Sequence, residues 1–248
     1  MLADARFDKT LQDITNVPVP VATRTYVPIA HRDLADQAIE AFQGVGRGIR
    51  EQGFYLRDGG QKMMGIIQLE LSGPPKTGMA VLDDRNYPLT ILLRNSYDRS
   101  TSVGVASGPS AWWCTNMCIS GSDMTFTHKH MGRVLEILAA KIQEAAATAE
   151  SRYGDRLKEI KRLSSHEITD NQGYEILGRM YGNGILPSRM FTASVEDWKR
   201  PKIEAFADRN MWSLYNAVTG SVKRRTSAHI VRKNPIIHQF FLKEIATD

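Results

Sequence analysis

Cysteine is scarce in this chain: among 248 residues there are two, Cys114 and Cys118. Proteins held together by disulfides need more, so we exclude a disulfide framework and expect a reducing compartment. Long apolar runs are also lacking, because no stretch approaches the roughly 18 residues of a membrane span. The first residues, MLADARFDKT, lack the basic and then apolar pattern of a signal peptide. We therefore predict a cytoplasmic protein with no membrane partner.

Positive charge is concentrated near the C-terminus. The whole chain has a net charge of +5, whereas residues 199–233 carry nine Lys or Arg and two acids, a net charge of +7. Binding to a polyanion requires such a concentration, because each neutralised phosphate releases counterions. A solvated basic surface would have the same composition, so the charge alone leaves both interpretations open.

Alternating apolar residues and tight turns predict an antiparallel meander in the first half of the chain. Prolines and β-branched residues up to residue 30 favour an extended arm without a helix, a device that often grips a neighbouring subunit. Residues 31–42 predict a short helix. Five strands are predicted after it. Two of them form a hairpin within residues 53–71, with a turn at Asp58–Gly60. The other three lie within residues 87–94, 102–106 and 111–119.

The second half has a helical period. Apolar residues recur every three or four positions from Thr127 to Leu163 and predict one long helix, capped by Asp123. Such a helix would cover the sheet, and its length also favours pairing with another subunit. Shorter helices are predicted at 173–181, 195–208, 211–218 and 234–245, the last with Pro235 in its first turn.

The predicted fold class is therefore α+β, an antiparallel β-meander covered by one long helix, with a helical basic C-terminal third. We divide the chain into an N-terminal arm and short helix (1–48), a sheet and long-helix core (49–163) and a C-terminal region packed on that core (164–248).

Two sites can be built from the cysteines. Zinc would be held by Cys114, Cys118, His128 and His130, since C-x3-C falls within the usual spacing. On one strand, however, the two cysteines would lie about 13 Å apart. A Cys114 nucleophile would need His128 as its base. Buried core cysteines are more common than either, so we predict no metal and no cofactor.

Carboxylates leave an enzyme open as an alternative. Asp83, Asp84, Asp98 and Asp123 all lie near predicted turns, where they would converge if a two-metal nuclease site were present. In this alternative Asp98 and His128 form the centre of a metal-dependent enzyme that acts on nucleic acid.

Binding of single-stranded nucleic acid accounts for more features of the sequence. Such a groove needs cations for the backbone and flat side chains for the bases. Arg94, Arg99 and one tryptophan, Trp113, are predicted to line the groove, and Trp198, Trp212 and Tyr215 lie among the C-terminal cations. The predicted phosphate contacts are Lys199, Arg200, Lys223, Arg224, Arg225, Arg232 and Lys233.

The segment after the third predicted strand resembles the phage and plasmid proteins grouped as the domain of unknown function nine-three-two. The matching residues are Asn95, Tyr97, Asp98, Arg99, Ser100, Pro109, Trp113, Cys114 and Asn116, followed by His128 and the segment 212–219, WSLYNAVT. Arg99 stands where that family usually has glycine. The resemblance implies a mobile-element protein made in a bacterial cytoplasm.

The order of elements is also similar to phage single-strand annealing proteins of the Red-beta, RecT and Erf kind, although this is a likeness of architecture alone. We therefore expect an oligomeric single-stranded DNA-binding protein that promotes annealing or recombination and is not an enzyme. A phage or host replication protein is the expected protein partner. The third alternative is an interaction factor that redirects a host protein.

Overall fold

The computed structural model describes residues 7–70, 88–109, 124–222 and 227–246 and has an α+β fold. The structure divides into two compact units. The described part of the first comprises residues 7–70, 88–109 and 124–154, and that of the second comprises 155–222 and 227–246. Their boundary falls inside a helix, between Gly154 and Asp155. Within the described ranges, every helix is too short or too polar to cross a membrane.

The first unit contains a five-stranded antiparallel sheet in which each strand pairs with the next along the chain, so the predicted meander is confirmed. The predicted turn between the first two strands contains Asp58, Gly59 and Gly60, all with positive φ. The strands are β1 (Ile49–Arg57), β2 (Lys62–Leu69), β3 (Leu89–Ser96), β4 (Val103–Pro109) and β5 (Met124–His128).

The last strand differs from the prediction. Residues 111–119, predicted as a strand, lie outside the described residues, and β5 occupies positions expected to begin the long helix. The alternation of Met124, Thr125, Phe126 and Thr127 suits a strand better than a helix, since β-branched and aromatic residues pack well on a pleated surface. Gly132, with a φ of 62°, then separates β5 from the helix.

Two helices precede the sheet, and they are α1 (Leu11–Thr15) and α2 (His31–Gly44). The prediction of an arm without a helix was wrong for α1, where Thr10 and Asp13 form a capping box. The arm contacts its own unit: Lys9 pairs with Phe54 of β1 by two backbone hydrogen bonds of 3.0 and 2.9 Å. Helix α2 packs on β3.

The long helix is α3 (Val134–Ser165), and it begins seven residues later than predicted. Its part in the first unit buries one stripe at three- and four-residue steps, as the period required. That stripe consists of Val134, Leu138, Ile142, Ala145, Ala149 and Tyr153.

The second unit continues α3 and adds the helices α4 (Asp170–Gly182), α5 (Ser188–Lys199), α6 (Met211–Val222) and α7 (Ser227–Glu244). The helix predicted at 195–208 was wrong in its bounds, because Lys199 ends α5 and a short 3-10 helix occupies Glu204–Phe206. Pro201, two residues after the end of α5, cannot continue that helix. Pro235 lies inside α7 rather than at its start.

Candidate nucleic-acid interface

The predicted binding residues fall into three groups. Arg94 and Arg99 lie on the β3–β4 hairpin (Leu89–Pro109) of the first unit, Arg94 within β3 and Arg99 in the turn. Lys199, Arg200 and Lys233 lie in the second unit, as does Arg232, which is part of α7. Trp113, Lys223, Arg224 and Arg225 lie outside the described residues.

A buried amide fixes β3 next to the hairpin turn. Asn95 Nδ2 donates to the Ile29 carbonyl oxygen at 2.7 Å and lies 2.9 Å from His31 Nδ1, while Asn95 Oδ1 accepts from the Ser96 amide at 3.0 Å. All of these groups are buried, so each needs its partner. The amide thereby ties β3 to the start of α2.

A stacked pair of rings continues this network. The rings of His31 and Tyr97 lie 3.9 Å apart and are nearly parallel, and the Tyr97 hydroxyl accepts from the His31 amide at 2.9 Å. His31 Nε2 lies 2.9 Å from the Gly60 carbonyl oxygen, which can only accept, so Nε2 donates and Nδ1 accepts from Asn95. Burial lowers the pKa of His31 to about 4, and the ring is therefore neutral near pH 7.

Arg99 lies at the tip of the hairpin and is exposed. Its guanidinium carbon is 4.4 Å from the centroid of the Tyr26 ring, and its φ of 61° lies in the left-handed region. Tyr26 is itself held in place, because its hydroxyl donates to the Tyr97 carbonyl oxygen at 3.1 Å. Among the described residues, no carboxylate forms an ion pair with Arg99. The guanidinium is therefore positioned by an aromatic ring and has no acidic partner within the described ranges.

The neighbouring turn residue, Asp98, is engaged by the scaffold. Its carboxylate accepts from the Ser100 amide at 3.0 Å and lies 3.1 Å from Lys62 Nζ, which also contacts Asp58 at 2.9 Å. Burial acts to raise the pKa of Asp98, but the hydrogen bonds from Ser100 and Lys62 outweigh it and lower the pKa. Lys62 thus links the β1–β2 and β3–β4 turns.

Arg94 is on the opposite face of β3 from Asn95, since successive residues of a strand alternate between faces. It is buried with 9% of its surface exposed, and its Nε donates to the Ser102 carbonyl oxygen at 3.1 Å. Within the described ranges, its Nη1 has no hydrogen-bond partner. Burial lowers the pKa of this guanidinium.

Two further buried side chains in this unit contain polar atoms without a hydrogen-bond partner in the described ranges, and composition gave no signal for them. Among the described residues neither ring nitrogen of His130 has a hydrogen-bond partner, and the same holds for Gln68 Oε1. The His130 ring lies 5.8 Å from the Tyr26 ring, and burial lowers the pKa of His130. Gln68 is opposite Thr90, on the same face of the sheet as Arg94.

Many cations of the second unit have acidic partners. Lys158 pairs with Asp155 at 3.0 Å, Lys202 with Asp197 at 3.0 Å and Arg209 with Asp170 at 2.7 Å, while Arg156 pairs with Glu159 and Arg179 with Glu244. Lys233 Nζ donates to the Ile185 carbonyl oxygen at 3.0 Å. Lys199 and Arg200 are exposed at the end of α5 without an ion-pair partner in the described part of the chain.

The three aromatic residues that lie among the C-terminal cations in the sequence belong to the core of the second unit and do not supply a stacking surface. Trp198, Trp212 and Tyr215 are all at least 96% buried. Trp198 lies against Gly173 of α4, and the rings of Trp212 and Tyr215 stack 5.3 Å apart. Close packing of these rings leaves no face free for a base.

A polar hollow of about 580 Å³ lies in the second unit near the start of α4, lined in part by Thr169, Gln172 and Arg209. Three of its polar side chains already have partners: Thr169 and Gln172 form the capping box of α4, and Arg209 pairs with Asp170.

Of the candidate metal ligands, Cys114, Cys118, Asp83, Asp84 and Asp123 lie outside the described residues. The ranges that the structure does describe contain no group of three or more His, Cys, Asp or Glu arranged to hold a metal ion. His128 Nδ1 lies 2.6 Å from the Lys129 carbonyl oxygen.

Comparison with known proteins gave no match to a family model, a curated protein or a solved structure. The site is therefore argued from its own geometry, and the resemblance to the phage and plasmid family stays a prediction.

Proposed function

We propose that this protein binds single-stranded DNA through the β3–β4 hairpin. The observation that carries the proposal is Arg99, an exposed guanidinium positioned over the Tyr26 ring without an acidic partner in the described residues. Cations attract the phosphate backbone, and a guanidinium plane is also a surface on which unstacked bases stack.

The conformation of Arg99 adds support. Its φ of 61° is one that glycine adopts without strain, whereas an arginine there carries a steric cost. A sequence selected for stability alone would favour glycine at this turn. An arginine kept at that cost suggests that its charge is used in binding.

We further propose that the protein acts as an oligomer and promotes strand annealing. Three apolar side chains are 38–45% exposed beside the stripe that α3 buries: Met131, just before the helix, and Leu135 and Ile137 in its first turn. A second subunit would remove this apolar surface from water.

The first experiment is binding of a fluorescent 30-nucleotide oligonucleotide, single-stranded and as a duplex, at low and moderate salt. We expect preferential binding of the single strand that weakens with salt. Arg99→Gly should reduce affinity by three- to tenfold, equivalent to about 1 kcal/mol. Arg179→Ala is the matched control, because Arg179 has the same charge but is paired with Glu244.

Two outcomes would contradict the proposal: no binding of either DNA, or an equal loss of affinity in Arg99→Gly and Arg179→Ala. Light scattering on the same samples tests oligomerisation. A complex whose protein component has the 27.8 kDa mass of one chain would overturn self-association.

A further inference from the structure

The two described turns of the meander lie at the same end of the sheet. Because each strand is antiparallel to the next, the β1–β2 turn, the β3–β4 turn and the last residue of β5 are grouped there. The Tyr97 amide joins the two turns by donating to the Gln61 carbonyl oxygen at 2.7 Å. His128, which ends β5, pairs with Val103 at the start of β4. We call this region the turn end, and it comprises residues 57–62, 97–102 and 128–130.

Part of the N-terminal arm lies against the turn end. The Tyr26 hydroxyl donates to the Tyr97 carbonyl oxygen at 3.1 Å, and the Val27 amide donates to the His130 carbonyl oxygen at 2.9 Å. These bonds hold the arm to both the β3–β4 turn and the segment that follows β5. Exposed residues of the arm therefore lie beside the exposed residues of the turns.

The arm contributes an arginine to this surface. Thr23 and Tyr26 exchange two backbone hydrogen bonds, of 2.9 and 3.3 Å, so Arg24 and Thr25 form the tip of a tight turn. Both tip residues are exposed. Since the Arg99 guanidinium lies 4.4 Å from the centroid of the Tyr26 ring, arginines from two different segments lie close to one tyrosine.

Two more cations lie on the other segments of the turn end. Arg57 ends β1 and is opposite Lys62, whose Nζ is 3.1 Å from the Asp98 carboxylate in the β3–β4 turn. Lys129 directly follows β5 and precedes His130, which binds the arm. Both cations are exposed. Among the described residues, no carboxylate forms an ion pair with the four cations Arg24, Arg57, Arg99 and Lys129.

Acidic side chains offset these cations only in part. Asp58 and Asp98 both contact Lys62, at 2.9 and 3.1 Å, and Asp33 is exposed in the first turn of α2. With Lys62 included, five cations lie near three acids, so this end of the sheet is positively charged. Neighbouring strands are about 4.8 Å apart, which makes the surface about 19 Å wide from β1 to β5. A polyanion that follows it would contact several cations, and each contact releases counterions.

We propose that single-stranded DNA crosses the turn end from β1 toward β5, with Arg24, Arg57 and Lys129 as phosphate contacts in addition to Arg99. This inference rests on the proposed DNA binding and gives that site an extent and a direction, perpendicular to the strands. All four cations are exposed, so each contact is screened by salt. The number of contacts can therefore be measured from the salt dependence of affinity.

The test measures the affinity for the fluorescent 30-nucleotide single strand at four sodium chloride concentrations. It compares the intact protein with Arg24→Ala, Arg57→Ala, Lys129→Ala and the variant that combines all three. Lys141→Ala is the matched control, because it removes the same charge from the same unit at a lysine that is paired with Glu144 on α3.

Each phosphate contact with a single strand contributes about −0.7 to the slope of log affinity against log salt concentration. We expect each single variant to reduce the magnitude of this slope by about 0.7 and the triple variant to reduce it by about 2, with no change in Lys141→Ala. The melting temperatures should stay within about 2 °C of that of the intact protein, since the exposed side chains have no ion-pair partner to lose in the described part of the chain.

The two proposals fail in different ways. If the intact protein binds the oligonucleotide but the triple variant keeps the full slope, the path across the turn end is wrong and DNA binding stands. A slope reduced equally in Lys141→Ala and in the three single variants would assign the effect to net charge and also overturn the path. If the intact protein does not bind the oligonucleotide at the lowest salt concentration, both proposals are wrong.

Discussion

Arg99 in the first unit and Arg209 in the second lie at almost the same distance from an aromatic ring, 4.4 Å from the centroid of Tyr26 and 4.5 Å from that of Trp198. Arg209 also contacts Asp170 at 2.7 Å and donates to the Trp198 carbonyl oxygen at 2.8 Å. Arg99 has no acidic partner among the described residues. The ring contact is shared, and the difference lies in whether the charge is already neutralised within the chain.

The number of cations in a segment does not show how many of them lack an acidic partner. Residues 199–233 contain most of the excess charge, but Lys202 and Arg209 there are paired with acids and Lys233 is bound to carbonyl oxygens. The β3–β4 hairpin has fewer cations, yet both Arg94 and Arg99 lack a carboxylate partner within the described ranges. Total charge is therefore a poor measure of the charge that has neither an acid nor a carbonyl oxygen as its partner within the described residues, which in residues 199–233 remains at Lys199 and Arg200.

The largest effect should come from removing the amide that holds the hairpin in place. Asn95→Ala leaves the Ile29 carbonyl, the Ser96 amide and His31 Nδ1 without their partner, all in a buried site. We expect a loss of about 3 kcal/mol in the free energy of unfolding. Urea denaturation measures it, and a loss below 1 kcal/mol would show that this network does not support the hairpin.

Acidification should have the second largest effect on the stability of the first unit. Because burial holds the pKa of His31 near 4, the unfolded chain, with a pKa of about 6.5, binds the proton more readily. Stability is therefore fully present above pH 6.5 and is lost as the pH falls toward 4, by about 2 kcal/mol between pH 7 and 5.

His31→Gln, which does not titrate, is the variant that checks this assignment. Urea denaturation at pH 7, 6 and 5 should show a smaller pH dependence in the variant than in the intact protein. Equal slopes would assign the effect to other groups, such as His130, whose pKa is also lowered by burial.

Substitution of two glycines in α4 tests the packing of Trp198 in the core of the second unit. A Cβ at Gly173 would lie 2.5 Å from Trp198 Nε1, whereas nothing lies within 4 Å of one at Gly178. Gly173→Ala should destabilise by about 1.5 kcal/mol through overpacking. Gly178→Ala should stabilise by about 0.5–1 kcal/mol, as alanine does in an exposed helix. Thermal denaturation of both decides, and a stabilised Gly173→Ala would mean that Trp198 is not held against α4.

The smallest effect on stability is expected at Arg99. Arg99→Gly relieves the left-handed backbone but loses the contact with Tyr26, so the free energy of unfolding should change by less than about 0.5 kcal/mol. Asp58→Gly is the control, since Asp58 also has a positive φ, of 54°, and makes an exposed contact with Lys62. Both variants should retain the melting temperature, and only Arg99→Gly should bind single-stranded DNA less tightly. A large loss of stability in Arg99→Gly would assign Arg99 a structural role instead.

Local sequence patterns were sufficient to predict the positions of most helices and strands. The turn at Asp58–Gly60, the strands β1 to β4, and the helices α2, α4 and α6 lie within a few residues of their predicted positions, because the period of apolar residues and the turn residues are local signals. The start of α3 was predicted seven residues too early, because the helical period was extended back over Thr127 and His128, which end the alternating strand β5. At Pro235 the helical context overrode the preference of proline for a first turn.

The amino-acid sequence by itself determined the α+β class, the antiparallel meander, the long helix and the total charge, since each depends on residues that are near neighbours in the chain. Only the tertiary structure decided which cations are neutralised, which tryptophans are buried, and that Arg94 is enclosed without a carboxylate partner in the described residues. The physical reason is that ion pairing and desolvation depend on residues distant in the chain: Arg179 and Glu244 are 65 positions apart, and Asn95 and His31 are 64.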